Sequence, residues 1–398
     1  MKRRLVILGA GESGVGAAVL GKQKQYDVFV SDKGAIDSKY KDILVKEGVA
    51  FEENKHTVDQ IINADLVVKS PGIPNSNALI EQLNKKGVLI VSEIEFASWY
   101  TNAKLIGITG SNGKTTTTSL VYHILQHSGL NVGIGGNIGK SFALQVARSD
   151  YDFYVLELSS FQLDGLDKLK LDISVLLNIT PDHLDRYNNC FDDYVDSKFQ
   201  IIKNSDENSV FIYNNDDTTI VNKIQQLNLL SPSYGFTSER LNGKGAGIEK
   251  GTLCIDINNP LRISEDVVSL KGKHNSYNIM ASAMVASTLN IKENNIIEAI
   301  GSFQPIEHRM ERVMNVNGVE YINDSKATNV DSTFYALESI NNDVIWIAGG
   351  VDKGNDYSQL IPLVKSKVQG MVCLGKENKK LHEAFGNFVD QIDNATSA

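Results

Sequence analysis

The chain has 398 residues, a length that predicts about two or three domains, each large enough to bury its own core. Its hydrophobic content of 42% is ordinary for a globular protein, and its net charge of -9 argues against a nucleic-acid-binding surface and favours small-molecule partners. The three cysteines are far apart and lack C-x-x-C spacing, which suits a reducing compartment and argues against a cysteine-rich metal site.

The N-terminal residues predict a nucleotide-binding α/β domain. The first apolar run lasts only from Leu5 to Leu8, too short for a signal peptide, and nothing elsewhere approaches the length of a membrane span, so we expect a cytoplasmic protein. A complete G-x-G-x-x-G follows at Gly9 to Gly14, and a second predicted strand ends at Asp32, near where a ribose-binding acid would lie. Taken alone, this fingerprint predicts NAD. Alternating strands and helices continue to about residue 95, and the Ser70-Pro71-Gly72 segment is either a ligand-binding loop or a plain turn.

A phosphate-binding loop is predicted in the segment K-L-I-G-I-T-G-S-N-G-K-T-T (104–116). Its residues predict a buried strand, a glycine loop and a helix that begins near Lys114. The glycines let backbone N–H groups approach phosphate oxygens, Lys114 neutralises the outer phosphates, and the hydroxyl of Thr115 can bind Mg²⁺. Ile108 stands where the longer form of this motif has a glycine, so an ordinary glycine turn is the alternative. Because Gly-Lys-Thr directly follows a strand, we favour a nucleoside triphosphate site.

Acidic residues follow the next two predicted strands. The apolar run D-F-Y-V-L-E-L-S-S (152–160) carries Glu157 near its end, where a carboxylate beside a phosphate-binding strand commonly holds Mg²⁺. The run at 172–180 leads into P-D-H-L-D-R-Y (181–187), in which His183 could be a metal ligand or an oriented base. A lone histidine is more often a surface or packing residue, so both interpretations stay open.

The remaining chain predicts the end of a central domain and a third α/β domain. Residues 205–265 are polar with short strands, and 272–287 predict an alanine-rich amphipathic helix. A third α/β unit begins near residue 303, and its few predicted strands are a small number for a doubly wound sheet covered on both faces. We therefore expect domains at residues 1–95, 96–302 and 303–398, the last of them shortened at its end.

Taken together, these motifs resemble the Mur ligase family, and they occur in family order across nearly the whole chain. The matching segments are T-G-S-N-G-K-T-T (109–116), G-G-N-I-G (135–139), E-L-S-S-F-Q-L (157–163), N-I-T-P-D-H-L-D-R-Y (178–187), D-S-K-F (196–199), K-H-N-S-Y-N (273–278), E-H-R (307–309) and N-D-S-K-A-T-N (323–329). The S-S-F-Q-L and N-D-S-K-A-T-N segments are similar to members that add D-glutamate, whereas the phosphate loop and the H-N-x-x-N element also occur in members for other amino acids.

The resemblance implies three α/β domains: an N-terminal Rossmann-like domain, a central P-loop domain that binds ATP, and a C-terminal Rossmann-like domain, here incomplete. It implies UDP rather than NAD at the first glycine loop. The implied UDP-substrate residues are Gly11, Ser13, Asp32, Ser70 and Gly72, with Asn137 at the sugar-phosphate end. The implied ATP residues are Gly110, Ser111, Asn112, Gly113, Lys114, Thr115, Thr116, Asn275, Asn278, Arg309 and Asp324.

The resemblance also implies two Mg²⁺ sites and an amino-acid site. Thr115 and Glu157 would hold the first ion, and His183 the second, with a carbamylated Lys198 bridging. Without the resemblance, Lys198 would be taken for an ordinary surface lysine on a helix. The implied catalytic residues are Lys114, His183, Lys198 and Lys326, and Thr328 and Lys353 would face the amino acid.

The activity implied is ATP-dependent, ADP-forming amide ligation in cytoplasmic peptidoglycan synthesis. The substrates would be UDP-N-acetylmuramoyl-L-alanine and D-glutamate, joined through an acyl phosphate by a monomer without nucleic-acid or membrane partners. Because the family continues into a segment that holds D-glutamate, we expect the shortened chain to bind the UDP substrate and to ligate D-glutamate poorly. The alternatives are an NAD-dependent oxidoreductase, a sister ligase for another amino acid, and a nucleotide-binding homologue without turnover.

Overall fold

The computed structural model describes residues 2–270, 272–304, 308–350, 355–376 and 378–397. The chain forms two compact units. The first consists of Met1–Ile179, Cys190–Val268 and Ser276–Phe303, and the second consists of Thr180–Asn189, Ser269–Asn275 and Gln304–Ala398. Within the described residues, no helix combines the length and the apolar character that crossing a lipid bilayer requires.

An N-terminal parallel sheet opens the first unit, with strand order β3-β2-β1-β4-β5. Its strands are β1 (Arg4–Leu8), β2 (Asp27–Ser31), β3 (Ala50–Glu52), β4 (Leu66–Lys69) and β5 (Leu89–Val91). The helices are α1 (Glu12–Gln23), α2 (Ser38–Lys46), α3 (Val58–Ile61), α4 (Ala78–Lys85) and α5 (Glu93–Ser98). The apolar run of β1 is buried throughout from Leu5 to Leu8, as expected for a parallel strand covered on both faces. The strand order reverses direction between β1 and β4, which leaves a crevice at their carboxyl ends.

A larger central sheet completes the first unit, with strand order β14-β13-β12-β11-β10-β9-β6-β8-β7. Its strands are β6 (Lys104–Thr109), β7 (Val132–Gly136), β8 (Phe153–Glu157), β9 (Ile173–Leu176), β10 (Val210–Asn214), β11 (Ser233–Phe236), β12 (Gly245–Glu249), β13 (Thr252–Asp256) and β14 (Pro260–Ser264). Pairing is parallel from β7 to β12 and antiparallel from β12 to β14. The strand that precedes the glycine loop, β6, therefore lies between β8 and β9, well inside the sheet.

The helices of the central region include one that differs from expectation. They are α6 (Lys114–His127), α7 (Phe142–Arg148), α8 (Ser160–Leu163), α9 (Phe191–Phe199), α10 (Thr218–Gln225), α11 (Lys273–Thr288) and α12 (Glu293–Ser302). The prediction that 272–287 form an amphipathic helix is wrong in one respect, because every residue from Asn278 to Ser287 is buried. The small side chains of this segment let α11 pass through the core with protein on all sides.

The second unit contains an antiparallel pair, β15 (Glu311–Val316) with β16 (Val319–Asn323), and a parallel sheet of β17 (Val344–Gly349), β18 (Val368–Leu374) and β19 (Gln391–Ala395). Its helices are α13 (Val330–Ser339), α14 (Ile361–Lys367) and α15 (Lys379–Phe385). Leu337, Val364 and Phe385 form a core with one face of the parallel sheet. Ile345 and Ile347 of β17 are 67% and 66% exposed. Parallel strands alternating with helices in both units confirm the predicted α/β class.

Candidate active site

The backbone conformation of the glycine loop between β6 and α6 is fixed by contacts with neighbouring residues. Gly113 has a left-handed backbone with φ of 81°, and a side chain there would overlap the amide oxygen of Asn278. Asn178, which follows β9, accepts a hydrogen bond from Asn112 N at 2.7 Å and donates one to Asn112 O at 3.1 Å. Its backbone oxygen also accepts from Ser111 N at 2.9 Å. Asn178 thus clamps the loop from the adjacent strand.

Lys114 begins α6 and lies across the same loop. Its Nζ donates to Gly110 O and to Ser111 O, each at 2.7 Å. The ammonium group is therefore held over the backbone that a phosphate would approach. Thr115 is half-buried and Thr116 is buried in the next positions of the helix. The N–H groups of this first turn and the positive end of the helix dipole favour an anion here.

Glu157 ends β8, one strand away from the glycine loop. The register pairs it with Ile108 of β6 and with Gly136 of β7, and its side chain is only 1% exposed. Oε1 accepts a hydrogen bond from Asn137 Nδ2 at 2.8 Å, whereas the buried Oε2 has no hydrogen-bond partner among the described residues. A buried carboxylate oxygen without a donor is costly unless a cation compensates it. This set fits a divalent cation.

Lys198 lies on α9 and is buried, with 1% of its surface exposed, which corrects its interpretation as an ordinary surface lysine. Its Nζ donates to Gly110 O at 2.8 Å and to Thr109 Oγ1 at 3.3 Å, and it lies 5.1 Å from the ring centre of Tyr194. The Tyr194 hydroxyl is in turn 3.1 Å from Ser111 Oγ. Both α9 side chains therefore reach the glycine loop.

Asn278 connects α11 to the loop and to α6. Its Oδ1 accepts from Thr117 Oγ1 at 3.1 Å, and the neighbouring Tyr277 donates its hydroxyl to Asp216 Oδ2 at 2.7 Å. Asp216 lies in the turn after β10 and also accepts from Ser238 N at 2.7 Å. The first unit thus places the loop, Glu157, Lys198 and Asn278 at the carboxyl ends of adjoining strands, where α/β sheets bind ligands.

The second unit carries the remaining residues predicted for nucleotide and metal. His183 has a left-handed backbone with φ of 54°, a conformation uncommon for a residue other than glycine. Its Nε2 is 3.7 Å from Asp182 Oδ2, and that oxygen accepts a hydrogen bond from Asn329 Nδ2 at 3.3 Å. Within this unit, the P-D-H segment and the end of N-D-S-K-A-T-N are therefore in contact. Asn275 is half-buried in the same unit.

Asp324 and Arg309 are also close in this unit. Burial raises the pKa of Asp324, and the Met310 amide, which donates at 3.1 Å, and the charge of Arg309 partly oppose that rise. Lys326 and Thr328 are exposed on the segment that follows, and Lys326 N donates to His308 O at 3.2 Å. Lys353 lies outside the described residues, so its role stays a prediction.

The first glycine loop lies at the crevice of the N-terminal sheet. Asp32 organises it, since its Oδ2 accepts from Ala10 N at 2.6 Å and its Oδ1 accepts from Gly34 N at 2.7 Å. Ser70 N donates to Leu8 O at 2.9 Å, which aligns the ends of β4 and β1. The other residues predicted for UDP at this sheet are Gly11, Ser13 and Gly72, of which Ser13 is half-buried and the two glycines are exposed.

Sequence reasoning missed two residues that shape the site. Asn178 was noted only within a family motif, although an amide directly after the strand next to β6 is a detectable signal. Tyr194 gave no signal, because its contact with Ser111 joins residues 83 positions apart. Among the described residues, no group of three or more His, Cys, Asp and Glu side chains could hold a metal ion. A cation near Glu157 would therefore depend on hydroxyl and phosphate oxygens as well, an arrangement typical of Mg²⁺.

A buried strand, a glycine loop and a helix, with a strand-end carboxylate on the next strand, define a P-loop α/β protein. Three family models match successive parts of the chain: the MurD N-terminal domain (4–78), the Mur ligase middle domain (108–286) and the Mur ligase, glutamate ligase domain (308–398). The chain belongs to the Mur ligase family, as its motifs predicted.

Named relatives agree with this assignment. A UDP-N-acetylmuramoylalanine–D-glutamate ligase of Christiangramia forsetii is 50% identical over 398 residues, covering 100% of this chain and 89% of the relative. A protein of the same name from Bacteroides fragilis is 50% identical over 383 residues, covering 96% of this chain and 86% of the relative. The solved UDP-N-acetylmuramate–alanine ligase of Thermotoga maritima has the same fold, with a TM-score of 0.64 at 17% identity, over 98% of this chain and 90% of that one.

Proposed function

We propose that the protein is an ATP-dependent, ADP-forming amide ligase that adds D-glutamate to UDP-N-acetylmuramoyl-L-alanine in peptidoglycan synthesis. The observation that carries this proposal is the P-loop of residues 110–113 beside Glu157, whose buried Oε2 lacks a hydrogen-bond partner among the described residues. The 50% identity to enzymes named for this ligation supports the choice of substrates. We expect it to act as a monomer in the cytoplasm, where ATP is available.

The chemistry follows from the weakness of a carboxylate as an acyl donor. The carboxylate of the alanyl terminus attacks the γ-phosphate of ATP, ADP leaves, and an acyl phosphate forms. The neutral amine of D-glutamate then attacks the acyl carbon, an amide bond forms, phosphate leaves with the bonding electrons, and the proton lost by the nitrogen passes to the solvent. Lys114 supports the first step, because its ammonium group is already held at the loop and can exchange two carbonyl oxygens for phosphate oxygens.

The residues at the P-loop fit a Mg²⁺ ion. Glu157 and the hydroxyl of Thr115 would hold it, together with phosphate oxygens and water. When bound, the ion neutralises phosphate charge. Asn137 orients the Glu157 carboxylate by occupying Oε1 and leaving Oε2 free for the cation. Asn275, Asn278, Arg309 and Asp324 would bind the adenosine.

A second Mg²⁺ site would involve His183 and a carbamylated Lys198. Carbamylation converts the amine of a lysine into an anionic oxygen ligand, so its position relative to the phosphates decides whether it can serve. Lys198 supports this role because its Nζ is buried at the P-loop backbone, 2.8 Å from Gly110 O. His183 carries a partly exposed imidazole, which is accessible to a metal ion, and a carboxylate oxygen of Asp182 lies 3.7 Å from its Nε2.

The two organic substrates would occupy different parts of the chain. UDP would bind at the first glycine loop with Gly11, Ser13, Asp32, Ser70 and Gly72, and Asn137 would reach the sugar-phosphate end. Lys326, Thr328 and Lys353 would contact D-glutamate. Lys326 and Thr328 are exposed on one segment of the second unit and are therefore accessible to an amino acid.

Phosphate release that depends on D-glutamate tests the proposal. The protein is incubated with ATP, Mg²⁺ and UDP-N-acetylmuramoyl-L-alanine, and release is measured with D-glutamate, with L-glutamate and without an amino acid. We expect release only with D-glutamate, accompanied by the amide product in a mass spectrum. Release with another amino acid would indicate a sister ligase. Absence of release despite ATP binding would indicate a nucleotide-binding homologue without turnover.

A further inference from the structure

A buried carboxylate, Glu93, joins the N-terminal sheet to the central sheet. It is the first residue of α5, and its Oε1 accepts hydrogen bonds from Ser141 Oγ and from Ala143 N, each at 2.6 Å. Ser141 is the N-cap of α7, and its Oγ also accepts from Leu144 N at 3.1 Å. The carboxylate therefore binds the first turn of α7, a helix that belongs to the central sheet.

A second carboxylate of the N-terminal sheet reaches the same serine. Glu12 lies in the first glycine loop, and its Oε1 accepts from Ser141 N at 3.3 Å. Gly16, in the next turn of α1, has no side chain at this contact, and a Cβ there would overlap Ser141 Oγ. Ser141 is thus bound by Glu12, at the start of α1, and by Glu93 of α5, and Gly16 of α1 leaves room for its side chain.

The helix α7 in turn holds the G-G-N-I-G loop (135–139). Gln145 on α7 donates from its side-chain amide to Ile134 O at 2.8 Å and to Lys140 O at 3.1 Å, one on each side of that loop. The helix α7 therefore helps to fix the position of the loop, in which Asn137 is also held by Glu157. Through Ser141 and α7, Glu93 connects this loop to the first glycine loop.

We propose that Glu93 is a positioning residue for the UDP substrate, because it fixes the separation between the first glycine loop (Gly9–Gly14) and the G-G-N-I-G loop. The inference rests on the proposed function, in which the first loop holds UDP and Asn137 meets the sugar-phosphate end. A ligand that spans both loops gains from their fixed separation, whereas UDP alone contacts only the first loop and does not. Glu93 is buried and belongs to neither loop, so it would act on the substrate only through them.

The test compares binding of UDP with binding of UDP-N-acetylmuramoyl-L-alanine by calorimetry, so that turnover is not needed. In Glu93→Ala we expect affinity for the full substrate to fall about tenfold and affinity for UDP to change less than about twofold, since only the fit of the second part is lost. Glu93→Gln keeps an acceptor oxygen for Ser141 and Ala143 and should bind both ligands as the wild type does.

A matched control lies on the same helix. Glu95 is also buried, and it accepts from the backbone N–H groups of Asp167, Lys168 and Leu169, which belong to neither loop. Glu95→Ala weakens the joint between the sheets and should leave the ratio of the two affinities unchanged. If Glu93→Ala does not fold, Ser141→Ala carries the test, with the buried N-cap Ser92→Ala as its control.

The outcomes separate the two proposals. Equal loss of affinity for UDP and for the full substrate in Glu93→Ala or Ser141→Ala would overturn the positioning role, as would an unchanged affinity for both. A change in the affinity ratio for Glu95→Ala as large as that for Glu93→Ala would also overturn it. A wild-type protein that binds ATP but not UDP-N-acetylmuramoyl-L-alanine would instead overturn the proposed function.

Discussion

Three charged side chains have fixed positions at or next to the P-loop. Lys114 and Lys198 both donate to Gly110 O, from α6 and from α9. Glu157, at the end of the neighbouring strand β8, has a buried Oε2 without a hydrogen-bond partner among the described residues. Two lysine side chains and one carboxylate near one backbone segment would form a site for a phosphate with a divalent cation. At this scale, substitutions that remove one charge each are the informative ones.

Lys114→Ala removes a charge that the loop itself holds in place. We expect kcat/KM for ATP to fall by about 10² or more, because the ammonium group no longer stabilises charge on the transferring phosphate, while affinity for the UDP substrate persists. Steady-state kinetics of phosphate release and calorimetry with the UDP substrate check this. Lys104→Ala, an exposed lysine at the start of β6, is the control. Near-normal turnover of Lys114→Ala would refute its assignment.

Lys198→Ala tests the proposed carbamate. We expect loss of D-glutamate-dependent phosphate release and partial recovery when a small carboxylic acid such as acetate is added, because the added anion refills the missing ligand position. Mass spectrometry of the native protein, with and without bicarbonate, gives a readout that does not depend on activity. An active Lys198→Ala variant would argue for a purely structural lysine.

Glu93 makes stability depend on pH. Burial raises its pKa from 4.5 to about 7, and the nearby charge of Glu12 adds to the rise. Between pH 4.5 and 7 the folded state therefore binds more protons at this group than the unfolded state, so its contribution to stability falls as pH rises through that window. The loss is on the order of 3 kcal/mol. Melting temperatures at pH 5.5 and 8 should differ less in Glu93→Gln than in the wild type, and equal differences would contradict this pKa.

Neighbouring elements, more than the P-loop itself, determine its conformation. The side-chain amide of Asn178, after β9, makes hydrogen bonds with both the backbone N–H and the backbone oxygen of Asn112. Asn278 of α11 fills the space next to Gly113. The strand order brings β9 beside β6, and α11 is buried around nearly its whole circumference, so neither support is free to move. The loop is therefore expected to be shaped for phosphate before a nucleotide binds.

Gly113→Ala should destabilise the protein by more than the backbone strain that alanine has at a positive φ. Gly129, after α6, has nearly the same φ, 79° against 81°, but open space around its Cβ position. Gly129→Ala should cost about 1–2 kcal/mol of stability from backbone strain alone and leave ATP affinity unchanged. Gly113→Ala adds the overlap with Asn278, so we expect a larger loss of stability and a loss of ATP affinity. Denaturant unfolding and nucleotide titration measure both, and equal effects in the two variants would argue against a role for Asn278.

For the whole molecule, the first unit holds both glycine loops, and the second unit carries His183, Arg309, Asp324 and Lys326. Within the first unit, Glu93 and Glu95 accept hydrogen bonds from separate segments of the central sheet, at 141–143 and 167–169. The N-terminal and central sheets therefore form one body.

We predict that the first glycine loop of the first unit binds UDP in preference to NAD. UDP should displace the UDP substrate competitively, and NAD should not, because in the proposed function the G-G-N-I-G loop would meet a sugar-phosphate rather than a second nucleotide. Competition titration with each ligand at the same concentrations decides between them. NAD competing as well as UDP would favour the oxidoreductase alternative.

The sequence by itself determined the α/β class, both glycine loops and the carboxylate at the end of β8. These features depend on local rules: apolar runs form parallel strands, glycines permit tight turns, and strand ends gather at one edge of a sheet. Tertiary structure alone decided that Lys198 and Glu93 are buried, that α11 is surrounded, and that Asn178 clamps the P-loop. Each of these features depends on contacts with residues far away along the chain. Such contacts produce no hydrophobic periodicity or motif spacing in the sequence around the buried residue, so the local sequence does not reveal them.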